Sequence, residues 1–100
     1  MNYKTFDKFY EAHSDEHFLK FDAIPAERRL SQRPDLNAFL LLDKLVPGKS
    51  DMVACAEHDE IYLEVDTKKL MKVATEEQLL DLIRCGCRAG DCGDGIAMFV

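Results

Sequence analysis

Tyr3, Phe6, Phe9 and Tyr10 recur at spacings of three and four, which gathers the aromatics on one helical face and predicts a first helix over Tyr3 to Ala12. The segment Phe18 to Ile24 loses that period and is short, so a strand ended by Pro25 is expected there. Pro25 to Leu30 suits a short helical turn, and Pro34 suits the first position of the next helix, where a missing N–H costs nothing. That helix is expected from about Asp35 to Val46, with Leu36, Phe39 and Leu40 in period and Pro47-Gly48 as its stop. The apolar run Ala38 to Leu42 admits a rival reading as a buried strand. Met52 to Ala56 and Ile61 to Val65 are strand-like and separated by Glu57-His58-Asp59-Glu60, which predicts a hairpin. Alternation sends Ile61, Leu63 and Val65 to a core face and Tyr62, Glu64 and Asp66 to a wet one. Leu70 and Met71 sit in a linking turn. Thr75-Glu76-Glu77-Gln78 has the form of a capping box, followed by Leu79, Leu80, Leu82 and Ile83 as an apolar stripe and Gly86 as a left-handed C-cap. Residues 89–95 must turn, and Ile96 to Val100 reads as a last strand. The expected fold is one α+β domain over residues 1–100, with helices on one face of a mostly antiparallel sheet of about four strands.

Composition narrows the function classes. The chain has 100 residues and a formal net charge of −6, long enough for one core without disulfides or metal. Residues 1–50 hold eight Lys/Arg and eight Asp/Glu, whereas residues 51–100 hold five against eleven. An acidic second half opposes a phosphate backbone, so nucleic acid is not an expected partner. The start MNYKTFDKFYEAHSDEH shows no export signal, and the longest apolar run is too short to span a bilayer, so a cytoplasmic protein away from membranes is expected. Its four cysteines are then expected as thiols.

Several motifs invite chemistry. Cys55, His58, Cys85, Cys87 and Cys92 combine thiolates and an imidazole that would suit tetrahedral zinc, although Cys-x-Cys is not the usual spacing and free cysteine is often a small buried hydrophobe. His13-Ser14-Asp15-Glu16-His17 matches the H-x-x-E-H arrangement of one metallopeptidase class, but Ser14 and Asp15 look like a helix end, and the mechanism needs a helix throughout. Arg28, Arg29 and Arg33 form the basic cluster, read either as an anion site or as salt-bridge partners of the acidic half. Arg84 and Arg88 flank Cys85 and Cys87 and would lower their thiol pKa values, the one hint of a redox role. No nucleophile elbow, phosphate loop or dinucleotide fingerprint is present, so an enzyme is the less favoured reading and no catalytic residue is assigned. Glu57, Asp59, Glu60, Glu64 and Asp66 crowd five carboxylates into ten residues, without the ligand pattern of a calcium loop. Together with Tyr62 they mark the hairpin as the expected partner-binding surface.

The stretch Ala56-Glu57-His58-Asp59-Glu60-Ile61-Tyr62-Leu63, with Arg84-Cys85-Gly86 and Ala97-Met98-Phe99-Val100, resembles small uncharacterised proteins encoded by bacteriophages and prophages. That resemblance transfers no site residue. It implies an accessory protein of the host cytoplasm that works by binding a host protein. The alternative is a small module stabilised by zinc.

Overall fold

The computed structural model describes residues 3–90 and 95–100, and among these the chain forms four α-helices and a four-stranded antiparallel sheet. The helices are α1 (Phe6–His17), α2 (Pro34–Leu45), α3 (Thr67–Val73) and α4 (Glu76–Arg84). The strands are β1 (Val53–Glu57), β2 (Glu60–Leu63), β3 (Arg88–Ala89) and β4 (Ile96–Phe99), in the order β1-β2-β4-β3. This is the α+β fold the pattern predicts, with two differences in its elements.

The expected strand at Phe18 to Ile24 is absent. A 3₁₀ turn over Phe21–Ala23 replaces it, because the positions that turn inward are three apart: Phe18 and Phe21 are half-buried and Ile24 is buried. A strand would have placed Lys20 and Asp22 on the same face as Phe18 and Ile24, and could not have buried those two without burying the charges. The fourth strand is instead β3, whose two residues pair with the start of β4. The expected linking turn around Leu70 and Met71 is in fact α3, begun by Asp66, whose side chain accepts from the Lys69 N–H.

Elsewhere the local signals hold, save that α2 buries Asn37, Ala38, Leu41 and Leu42 while Leu36 and Leu40 of the expected period are exposed. Ala38 to Leu42 is helical, which removes the rival strand, and Pro34 begins α2. Thr75 and Gln78 close the capping box in both directions, at 3.1 and 2.9 Å. At the other end of α4, Gly86 takes φ +107° and its N–H donates to the Ile83 carbonyl, while the Cys87 N–H donates to Leu82. These are the two bonds of a Schellman motif, and they need a residue free to adopt positive φ.

The register of the sheet decides which side chains meet the helices. Ile61 lies opposite Met98 and Leu63 opposite Ile96, and these four join Phe6, Phe9, Leu42, Leu70, Leu79, Leu82 and Ile83 in one core. The other face carries Glu60 opposite Phe99, and Tyr62 and Arg88 on either side of Ala97. Ala97 is fully buried there, since a methyl group is easily shielded by its two larger neighbours. No helix among the described residues is long and apolar enough to cross a membrane. Residues 91–94, including Cys92 and part of the expected turn, lie outside the described residues.

Candidate interaction surface

β1 differs from every other strand. All five of its residues are exposed, while β4 is buried along Ile96, Ala97 and Met98. Among the described residues it forms one edge of the sheet, paired with β2 alone. The hairpin closes through His58 and Asp59, at φ 53° and 63°, between the paired residues Glu57 and Glu60. Two central residues with positive φ make the type I′ turn, whose twist matches that of the strands.

The structure divides the six expected partner-binding residues into two groups. Glu60 is engaged: its carboxylate meets the Arg88 guanidinium at 2.9 Å and is only 12% exposed, and Arg88 also lies over the Phe99 ring at 4.8 Å. Asp66 is occupied as the cap of α3. Tyr62 is half-buried on the outer face of the sheet. Glu57, Asp59 and Glu64 are exposed, and strand alternation puts Glu57 and Glu64 on the same outer face as Tyr62. Asp51, which sequence reasoning did not single out, is exposed just before β1. Its signal was its place beside a strand edge, which only the topology reveals.

The metal motifs are not assembled. Cys55 is exposed on β1, whereas Cys85 and Cys87 are buried beyond the end of α4. No group of three His, Cys, Asp or Glu side chains among the described residues is placed to hold a metal. The H-x-x-E-H stretch corrects one expectation, because α1 runs through His17 and all five residues are helical. Yet His13 packs its ring 4.4 Å from that of Phe9, and His17 Nδ1 sits 3.4 Å from an Arg84 guanidinium nitrogen. A fixed cation already stands where a metal would bring more positive charge.

The thiols are also opposite in character to the expectation. Burial pushes Cys85 up to about 11, opposed in part by the Asn37 amide that donates to its sulfur at 3.2 Å and reinforced by the charge of Asp81. Burial raises Cys87 as well, with Cys85 adding to it. Desolvation outweighs the neighbouring arginines because Arg84 and Arg88 direct their charge into carboxylates. Cys85 lines an open, largely apolar cleft of about 310 Å³ with Phe18, Leu19, Pro34, Asp35, Gly86, Met98 and Phe99. A neutral thiol there is no nucleophile at neutral pH.

The arginine cluster is mostly structural. Arg28 forms a fork on Asp81 at 3.0 and 3.1 Å and reaches Glu77 at 3.2 Å, while Arg84 meets the same Asp81 at 2.8 Å. Arg29 donates to the Ile24 and Asp22 carbonyls and lies over Phe21. Arg28 thereby ties the loop before α2 to α4 by the salt bridges expected, whereas Arg29 ties that loop to itself through carbonyls and a ring.

No protein family matches the chain, and no curated protein or solved structure is significantly similar to it.

Proposed function

We propose that the chain is an interaction protein that engages another protein through the β1–β2 hairpin, with Glu57, Asp59 and Glu64 as its charged contacts. The observation that carries this reading is that all five residues of β1 are exposed at the sheet edge, whereas Asp81, Glu77 and Glu60 are tied to arginines. The resemblance to phage-encoded proteins supplies the setting: a host protein as partner, met in the host cytoplasm.

The test is capture by tagged protein in bacterial lysate, comparing the wild type with the triple variant Glu57→Gln, Asp59→Asn, Glu64→Gln. Asparagine tolerates positive φ at position 59, so the turn is kept. A partner that depends on this surface is recovered from the variant at about a tenth of the wild-type yield or less, and its capture weakens with salt because exposed charges are screened. Equal recovery by both proteins refutes the surface. Glu60 stays unchanged in this design because it is already paired with Arg88.

A further inference from the structure

We infer that β1 accepts an extended, basic segment of the partner as a further strand of the sheet. This rests on the hairpin as the interaction surface and adds the mode of binding and the chemistry of the bound segment.

The hairpin geometry sets which backbone groups are free. In a two-residue hairpin the flanking pair, here Glu57 and Glu60, is the hydrogen-bonded one, and the next pair, Ala56 and Ile61, is not. The N–H and C=O of Ala56 therefore point away from β2, toward the open edge. Natural sheets block such edges with lysine, proline, inward charges or a bulge. Val53-Ala54-Cys55-Ala56 has none of the first three. The register shift between Val53 and Cys55 bends the strand and limits the pairing stretch to its tip-proximal half. The opposite edge, β3, has only two residues and offers little to pair with.

Charge selects the occupant. If a second copy added antiparallel about a two-fold axis through Ala56, the outward-pointing residue, Glu57 of each copy would lie on the same outer face, diagonal to Glu57 of the other, and the two acids would repel. A strand carrying lysine or arginine on alternate positions meets the reverse situation. Its basic side chains lie on the outer face beside Glu57, and its other side chains lie over the face of Ala56, Ile61 and Val53, all from the same inward side. This is strand addition, in which main-chain bonds give affinity and alternate side chains give specificity.

The probe is a capped synthetic peptide about six residues long, alternating lysine and valine, with a glutamate-valine peptide as control. Titration into isotope-labelled protein is followed by fluorescence anisotropy and by amide hydrogen exchange. The expected result is saturable binding of the lysine peptide alone, with the Ala56 amide exchanging at least about tenfold more slowly when it is saturated. Ala56→Pro removes the outward N–H without removing a β1–β2 bond, and it should weaken binding about tenfold or more. If that variant does not fold, the exchange of Ala56 in the wild type decides the matter. Binding without protection of Ala56 overturns strand addition and leaves the charged surface standing. Absence of binding while the triple variant still loses its partner does the same. Equal binding of the glutamate peptide overturns the charge argument, and a wild-type dimer abolished by Ala56→Pro gives the edge to a second copy instead.

Discussion

Asp81 is the side chain on which the helical layer depends most. It is 3% exposed, and its two oxygens accept from Arg28 Nε, from an Arg28 terminal nitrogen and from Arg84. Asp81→Asn keeps the shape and removes the charge. The new amide nitrogen would face guanidinium donors, so at least one branch of the Arg28 fork is lost, and Arg84 keeps the longer contacts to Glu77 at 3.3 Å and to His17 at 3.4 Å. Arg84 is itself 9% exposed, and its Nε already lacks a partner. Removing one member of a buried ion pair costs about 3–5 kcal/mol. Arg28 is 37% exposed at its side chain, and water offsets part of its loss. The expected destabilisation is about 3 kcal/mol, or a fall in Tm of about 15 °C for a domain of this size. Urea unfolding followed by far-UV circular dichroism measures it. Arg28→Ala alone should cost about 1 kcal/mol, and the double variant should cost less than the sum because the two share an interaction. A change below about 1 kcal/mol for Asp81→Asn would show that the network is solvated and that the helices hold without it.

Two further outcomes follow from the end of α4. Gly86→Ala should cost about 1–2 kcal/mol, because φ +107° is unfavourable for an L side chain, while the nearest atom, Leu19 Cδ2 at 3.1 Å, can move aside; a stability equal to wild type would refute the Schellman account. Cys85 gives a pH dependence: its folded-state pKa is raised from 9.0 to about 11, so between those values the unfolded chain has released a proton that the folded chain keeps. Its contribution is fully present below pH 9 and is lost as pH rises through that window, by up to about 1.4 kcal/mol per pH unit. Urea midpoints of wild type and Cys85→Ala at pH 8 and pH 10 test this, and parallel losses in the two proteins would contradict it.

What was legible in the chain was local and covalently near. The capping box at Thr75, the glycine at 86 and the proline at 34 each act within one helical turn, and each lies where its neighbours require. The hairpin was legible for the same reason, since both strands and the turn are contiguous. β3 was not legible, because a two-residue strand has no period of its own and exists through its pairing with β4. α3 was missed because its inward positions, Thr67, Leu70 and Ala74, complete barely two turns. The end of α1 was misplaced because Ser14 and Asp15 are poor helix formers, while His13 packing on Phe9 and His17 against Arg84 continue the helix from tertiary contacts. As for the surface, the crowding of carboxylates was visible along the chain. Which of them are occupied was not, since Arg88 reaches Glu60 across 28 positions.

That sorting of carboxylates bears on why β1 is left open. Acidic residues near an exposed strand can serve merely to keep copies apart. If that were their whole role here, charge should lie within the strand, as it does on protected edges. Here the charge within β1 is confined to Glu57 at its turn end, Val53 to Ala56 is uncharged, and Asp51, Asp59 and Glu64 stand beyond the strand. Such a frame repels another copy of the chain and admits a basic strand at the same time. The fold meanwhile pairs Asp81, Glu77 and Glu60 with arginines and uses Asp66 as a cap, while further exposed carboxylates, Glu11, Asp15, Glu16, Asp35, Asp43 and Glu76, lie on the helices. Asp51, Glu57, Asp59 and Glu64 are set apart from these by their place around an open backbone edge, the arrangement that an added basic strand requires.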